Sequence, residues 1–181
     1  MRFDHQVTTA PNNMMLITQG EFAVCDSPNV LINTLLGSCV ACCLWDETVG
    51  VGGMNHLLLG GQIKGAGEGY DLAGVAEMEC LINEIIKRGG RRDSLQAKVF
   101  VGAKMLSGLG NIGERNARFA FDFLAQEGIP CRNSSVGGTS ARALRFWGAT
   151  GRATMRLVSN EVEEVVPQIE PEKAGNELEL F

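Results

Sequence analysis

The sequence lacks several features that would assign a protein to a class at once. It has no run of about 18 apolar residues, which argues against a transmembrane helix. Its start, MRFDHQVTTAPNNMM, lacks the apolar segment of a secretory signal peptide. Aromatic residues make up only 6% of the chain, and histidine occurs twice. These absences predict a globular, cytoplasmic protein that is not membrane-embedded and whose cysteines stay reduced.

Charge is distributed unevenly along the chain. The net charge is −5, and residues 160–181 carry seven Glu against one Lys, so the rest of the chain is close to neutral. A near-neutral body lacks the basic footprint of a nucleic-acid-binding protein. The pattern predicts a flexible N-terminal arm at 1–13, one folded domain at 14–159 and an acidic, solvated tail at 160–181.

The arrangement of apolar segments between glycine-rich turns predicts the fold class. A helical pattern covers 71–90, and a second helix is expected between Asn111 and Gly128. Strand patterns precede the first helix, separate the two helices and follow the second. The glycine-rich segment at 60–70 does not match a phosphate-binding loop and is expected to be a mobile loop beside a site. The order predicts an α+β protein with helices packed on a sheet.

Three of the six cysteines, Cys39, Cys42 and Cys43, lie within five positions. A zinc site usually needs a second ligand pair, but the chain has no further Cys-x-x-Cys and no His-x(3–5)-His. Strand alternation puts Cys39 and Cys43 on one face and Cys42 on the other, so the three thiols would not converge on a metal easily. A redox pair would need a helix N-terminus rather than a strand. We therefore expect no metal and no cofactor.

Burial is the simplest explanation for most of the cysteines. Free cysteine behaves as a small hydrophobic residue and is among the most buried residue types. Cys42 and Cys43 lie within the apolar segment VACCLW. The remaining three thiols also follow or adjoin apolar segments, and the same core role is expected for Cys25, Cys80 and Cys131.

Cys39 differs because Gly37 and Ser38 directly precede it. Glycine permits a turn there, and backbone N–H groups beside the thiol could form an oxyanion hole. A cysteine nucleophile also needs a base, since its unperturbed pKa is about 8.5. His56 follows a predicted hairpin turn at Asp46–Gly50 that could return it next to Cys39. The spacing alone leaves open whether His56 is that base or a buried core histidine.

Two segments together resemble the signature of the CheD family, the chemoreceptor glutamine deamidases of bacterial chemotaxis. They are TLLGSCVACCLWD and VGGMNHLLL. The later segments GNIGERNARF, EGIP, GGTSAR and TGRATMR are similar to the second half of the family in the same order. The resemblance covers residues from about 15 to 158.

The resemblance implies a Cys–His–Thr triad in which Cys39 is the nucleophile and His56 is the base. The third member is matched best by Thr34, although strict counting against some family members would point to Asn33. It also implies a layered α+β sandwich of sheet and helices, similar to the catalytic domain of cytotoxic necrotizing factor toxins.

The implied activity is deamidation of glutamines on methyl-accepting chemotaxis receptors through a cysteine thioester. The implied partners are those receptors and, in some bacteria, the phosphatase CheC. The alternative is a non-catalytic adaptor that binds receptors or CheC and in which Cys39 is a buried core residue.

Overall fold

The computed structural model describes residues 13–59, 72–102 and 112–158. This part of the chain contains nine strands, two α-helices and one short 3₁₀ helix. In chain order they are β1 (Met14–Leu16), β2 (Phe22–Cys25), β3 (Leu31–Leu36), β4 (Val40–Asp46), β5 (Val51–Asn55), α1 (Leu72–Lys87), the 3₁₀ helix (Arg92–Ser94), β6 (Gln96–Val101), α2 (Ile112–Gln126), β7 (Cys131–Ser135), β8 (Ala141–Trp147) and β9 (Arg152–Val158).

The strands form two sheets. A four-stranded sheet has the order β1-β3-β8-β9, and a five-stranded sheet has the order β2-β5-β4-β6-β7. The pairs β1–β3 and β6–β7 are parallel, while the other neighbours are antiparallel. The described residues combine two mostly antiparallel sheets with α-helices, which confirms the predicted α+β class.

The two sheets and the helices form three layers with two buried clusters. One cluster fills the space between the sheets and includes Ala41 and Cys43 from β4 together with Leu144 and Phe146 from β8. The other lies between the five-stranded sheet and the helices. Every residue of β4 is buried because this central strand is covered on both faces. The predicted layered sandwich is confirmed, whereas similarity to the toxin domain stays a prediction.

Helix α1 packs on the five-stranded sheet through one stripe of side chains. Its buried residues are Gly74, Met78, Leu81, Ile82 and Ile85, which recur at steps of three and four. The helix ends where the sequence predicts. Gly89 has φ +97° and donates to Ile86, while Gly90 donates to Ile85, which is the Schellman arrangement of hydrogen bonds.

Helix α2 packs on β4 and β6 of the same sheet. Its fully buried residues are Asn116, Ala120, Phe123 and Leu124. Asn116 is the polar member of this stripe and lies in the second turn of the helix. The apolar positions orient α2 so that this amide points toward the segment that precedes β4.

The structure corrects the prediction for two of the cysteines. Cys25, Cys42 and Cys43 are buried as expected, but Cys80 and Cys131 are exposed. Cys80 lies on the solvent side of α1, between the buried positions of the helix. Cys131 begins β7, an edge strand without a fully buried residue. Burial therefore does not explain these two thiols.

Several sequence-based predictions fall on residues outside the described part of the chain. These are the N-terminal arm apart from its last residue, the glycine-rich segment at 60–70, the helix boundary at Asn111 and the acidic tail at 160–181. Neither α1 nor α2, the two α-helices of the described residues, is long and apolar enough to span a membrane.

Candidate active site

The β4–β5 hairpin has the turn that the sequence predicts. The two strands are antiparallel, and Gly50 donates its N–H to the Asp46 carbonyl at 3.0 Å. Gly50 has φ +69°, a left-handed conformation that glycine adopts without strain. The Asp46 side chain also accepts hydrogen bonds from Thr48, which stabilises the turn.

The register of this hairpin brings Cys39 and His56 to one face. Val40 and Leu57 form an isolated antiparallel bridge with N–H to O distances of 3.0 and 2.8 Å, so the pairing extends beyond the ends of β4 and β5. In this register His56 lies opposite Ala41. Cys39 is two residues from Ala41 and therefore points to the same face, as a diagonal neighbour of His56.

The backbone of His56 is held on its other side by the segment before β2. Its N–H donates to the Glu21 carbonyl at 3.0 Å, and its carbonyl accepts from the Gly20 N–H at 2.8 Å. His56 is thus a strand residue between two neighbours, although it lies one position after β5. Its side chain is 5% exposed and faces the four-stranded sheet.

Thr34 of β3 meets His56 across the space between the two sheets. The Thr34 Oγ1 lies 2.8 Å from His56 Nδ1, and the same hydroxyl donates to the Ile17 carbonyl at 2.8 Å. A hydroxyl has one proton, so a hydroxyl that donates to Ile17 must accept from His56. This assigns the proton of the neutral imidazole to Nδ1 and leaves the lone pair on Nε2.

Asn33, the alternative to Thr34, lies on the opposite face of β3 because strand side chains alternate. Its backbone carbonyl accepts the Ile17 N–H at 3.0 Å, and its paired residue in β8 is the exposed Arg145. The hydrogen bond to His56 is therefore made by Thr34.

His56 Nε2 is buried and has no hydrogen-bond partner within the described residues. Buried polar atoms normally have a partner, so an unpaired one calls for an explanation. Here the atom is the basic nitrogen of the ring, on the face that also carries Cys39. The arrangement leaves Nε2 available to accept a proton from a thiol, a substrate or a water molecule.

Burial sets the protonation states of the two groups. Cys39 is 8% exposed, and burial raises the pKa of its thiol above 9.0. Burial lowers the pKa of His56 below 6.5, although the charge of Glu21 acts in the opposite direction. Both changes favour the uncharged forms. At neutral pH the resting site therefore holds a thiol and a neutral imidazole rather than an ion pair.

The turn before Cys39 is held by two contacts that local sequence patterns do not predict. Gly102, after β6, donates its N–H to the Cys39 carbonyl at 2.9 Å. Its Cα lies against the Gly37 carbonyl so closely that a Cβ there would overlap the backbone. Asn116 Nδ2 donates to the Ser38 carbonyl at 3.0 Å. The only sequence feature that could have indicated the second contact is the polar Asn116 within the otherwise apolar buried stripe of α2.

The other two cysteines of the cluster lie where strand alternation predicts. Cys42 belongs to the cluster beside the helices, while Cys39 and Cys43 belong to the cluster between the sheets. Complete burial raises the pKa of Cys42 to about 12 and that of Cys43 well above 9.0. No three His, Cys, Asp or Glu side chains of the described residues are arranged to hold a metal ion.

The fold and the site define an α+β layered protein with a buried thiol–imidazole site whose ring is oriented by a threonine. The family model described as CheD chemotactic sensory transduction matches residues 73–157. A "Probable chemoreceptor glutamine deamidase CheD" of Caulobacter sp. (strain K31) is 45% identical over 184 residues, covering 98% of this chain and 97% of the relative. The chain belongs to the CheD family.

A second relative of the same name, from Agrobacterium fabrum (strain C58 / ATCC 33970), is 46% identical over 171 residues, covering 91% of this chain and 94% of the relative. Among solved structures, the Bacillus licheniformis hypothetical protein YfiH superimposes with a TM-score of 0.43 at 13% identity. The match covers 63% of this chain and 49% of that protein, which is too distant to inform on function.

Proposed function

We propose that this protein is a protein-glutamine deamidase that acts on methyl-accepting chemotaxis receptors. It would hydrolyse the side-chain amide of specific glutamines to glutamate and release ammonia. The names of the CheD relatives supply the substrate class. The observation that carries the chemistry is the unpaired, buried Nε2 of His56, whose ring is oriented by Thr34 and lies on the same face as Cys39.

In the first step Cys39 attacks the carbonyl carbon of the glutamine amide. Its thiol proton moves to His56 Nε2 as the sulfur–carbon bond forms, because the resting thiol is protonated. Thr34 holds the ring through Nδ1 and stabilises the imidazolium that results. The tetrahedral oxyanion would be held by backbone N–H groups of the turn formed by Gly37, Ser38 and Cys39.

In the second step the imidazolium of His56 donates its proton to the departing nitrogen. The carbon–nitrogen bond breaks, ammonia leaves, and a thioester joins Cys39 to the substrate. His56 Nε2 then removes a proton from water, and the water oxygen attacks the thioester carbon. The carbon–sulfur bond breaks, the sulfur regains its proton, and glutamate remains on the receptor.

The proposed function also implies a cellular location and a second protein partner. Its substrate lies in the cytoplasmic region of the receptors, which implies a cytoplasmic enzyme. The family resemblance adds the phosphatase CheC as a partner that would link deamidation to the signalling pathway. Co-purification of the chain with CheC, where the organism has it, would test this part independently of the chemistry.

Mass spectrometry of a receptor fragment tests the activity. A purified receptor cytoplasmic fragment is incubated with the protein, and each glutamine is followed for the mass change that conversion to glutamate produces. The wild type should convert specific glutamines, while Cys39→Ala should convert none. Cys43→Ala is the matched control, because Cys43 lies in the same buried cluster and has no proposed role.

A non-catalytic adaptor predicts a different outcome. In that case Cys39→Ala would restore chemotaxis as well as the wild type does in a strain that lacks the protein. The receptor fragment would also remain unchanged with every variant. That pair of results would contradict the deamidase.

A further inference from the structure

The peptide unit between Ser38 and Cys39 is held by a side chain of α2. Asn116 is 1% exposed, and its Nδ2 donates to the Ser38 carbonyl at 3.0 Å. The next peptide unit is held as well, since the Cys39 carbonyl accepts the Gly102 N–H at 2.9 Å. Both carbonyls that flank the Cα of Cys39 therefore have fixed directions.

The direction of a carbonyl determines the direction of the N–H in the same peptide unit. A trans peptide is planar, so its N–H points opposite to its C=O. The bond from Asn116 to the Ser38 carbonyl thus orients the N–H of Cys39. Within the described residues this N–H donates no hydrogen bond; Cys39 and Val40 are buried, whereas Gly37 and Ser38 are partly exposed. An unused backbone donor on the residue that carries the nucleophile is a candidate donor to the oxyanion.

We propose that Asn116 is a positioning residue, which orients the Cys39 N–H toward the oxyanion that forms during amide attack. This inference rests on the proposed deamidase function and assigns a role outside the Cys–His–Thr set. Asn116 does not touch the substrate itself. It acts through the Ser38–Cys39 peptide, and its hydrogen bond to the carbonyl also polarises the N–H and strengthens it as a donor.

Stability alone does not account for an asparagine at this position. Asn116 Oδ1 is buried and has no hydrogen-bond partner within the described residues. Burial of an unpaired amide oxygen is unfavourable, and the neighbouring stripe positions Ala120 and Phe123 are apolar. Only the NH₂ group of the Asn116 amide therefore has a hydrogen-bond partner within the described residues. That partner is the carbonyl of the Ser38–Cys39 peptide.

The test compares two reactions of the same thiol. Deamidation develops an oxyanion, whereas alkylation of Cys39 by iodoacetamide displaces iodide and needs no oxyanion hole. Removal of a direct oxyanion donor lowers kcat by about 100- to 1,000-fold, so loss of its positioning residue in Asn116→Ala should lower kcat by about 10- to 100-fold. KM should change less than about twofold, since the contact acts in the transition state.

The alkylation rate of Cys39, measured by peptide mass spectrometry, should be unchanged in Asn116→Ala. Leu124→Val is the control, because Leu124 is buried in the same helix about two turns beyond Asn116, and the smaller side chain perturbs packing there. This control should keep the wild-type kcat. Asn116→Asp is a second variant, because a neutral carboxyl can donate to the Ser38 carbonyl and a carboxylate cannot. Its kcat relative to the wild type should rise as the pH is lowered.

The outcomes separate this inference from the proposed function. An active wild type together with an equally active Asn116→Ala would overturn the inference alone. A parallel loss of deamidation and alkylation would also overturn it, because the thiol itself would then have been disturbed. A wild type that converts no receptor glutamine would overturn the proposed function and the inference with it.

Discussion

The Thr34 hydroxyl joins the two sheets through His56, with 2.8 Å between Oγ1 and Nδ1. Thr34 belongs to the four-stranded sheet and His56 extends β5 of the five-stranded sheet. The same hydroxyl is anchored to the Ile17 carbonyl. The orientation of the His56 imidazole therefore depends on how the two sheets pack. A change in that packing would also change the orientation of the ring.

Replacement of Thr34 by valine removes the hydroxyl and keeps the side-chain shape. We expect kcat to fall by about tenfold or more, because the imidazole loses the acceptor that selects its tautomer and stabilises its charged form. The Ile17 carbonyl and the His56 N–H would also lose their partner in a buried site, which costs about 1–3 kcal/mol of unfolding free energy. Deamidation kinetics and chemical denaturation measure the two effects.

Thr34→Ser and Asn33→Ala are the controls for this prediction. Serine keeps the hydroxyl and should retain most of the activity. Asn33 lies on the outer face of β3, so its truncation should leave kcat close to that of the wild type. A large loss in Asn33→Ala with a mild effect in Thr34→Val would contradict the role of Thr34.

The pH dependence of kcat/KM should show the lowered pKa of His56. An imidazolium cannot accept the thiol proton, so activity is lost as the pH falls through the pKa of His56. Burial lowers that pKa below 6.5, which puts the loss on the acidic side of 6.5. Between this limb and the raised pKa of Cys39 above 9.0, the rate should be nearly constant.

A pH series of initial rates on a receptor fragment provides this measurement. A preformed thiolate–imidazolium pair would instead require the pKa of Cys39 to lie below that of His56. Rapid alkylation of Cys39 that persists down to pH values near 5 would indicate such a pair and contradict the neutral resting state.

Replacement of Gly102 by alanine should disturb the turn before Cys39. The added Cβ would overlap the Gly37 carbonyl, which is backbone and cannot rotate away. We expect loss of deamidation together with a lower melting temperature. Gly113→Ala is the matched control, since a Cβ there has its nearest neighbour among the described residues at 3.8 Å. Because Gly113 is in α2, alanine should stabilise the protein by up to about 1 kcal/mol. Equal effects of the two changes would contradict the proposed contact.

Alkylation of the native protein should sort the six cysteines by exposure and pKa. Cys80 and Cys131 are exposed and should react first. Cys25, Cys42 and Cys43 are buried with raised pKa values, so they should react only after unfolding. Cys39 should react at an intermediate rate that increases with pH, since its thiol is protonated at neutral pH. Peptide mapping after a timed exposure to iodoacetamide distinguishes the three groups.

Local patterns predicted the parts of this protein that depend on local geometry. The two-residue alternation of a strand separated Cys42 from Cys39 and Cys43, and the structure has them in different clusters. Asp46 and Gly50 predicted the hairpin turn. The Asp46 side chain stabilises the turn, and Gly50 adopts the left-handed backbone conformation that the turn requires. The glycine pair after α1 predicted the end of that helix for the same reason.

Local patterns failed where the environment depended on distant elements. Cys80 and Cys131 have apolar neighbours in the sequence, but one lies on the outer side of a helix and the other on an edge strand. Apolar neighbours do not reveal which face of an element the tertiary structure covers. Gly102 and Asn116 were not predicted from the sequence either, because neither is near Cys39 along the chain.

The amino-acid sequence by itself determined the α+β class, the hairpin and the segments that carry the thiol and the imidazole. These follow from periodicity and turn chemistry, which act over a few residues. Only the tertiary structure decided that Thr34 rather than Asn33 meets His56, and that Asn116 and Gly102 hold the turn before Cys39. Those contacts join separate strands and a helix, and their geometry follows from the packing of the three layers.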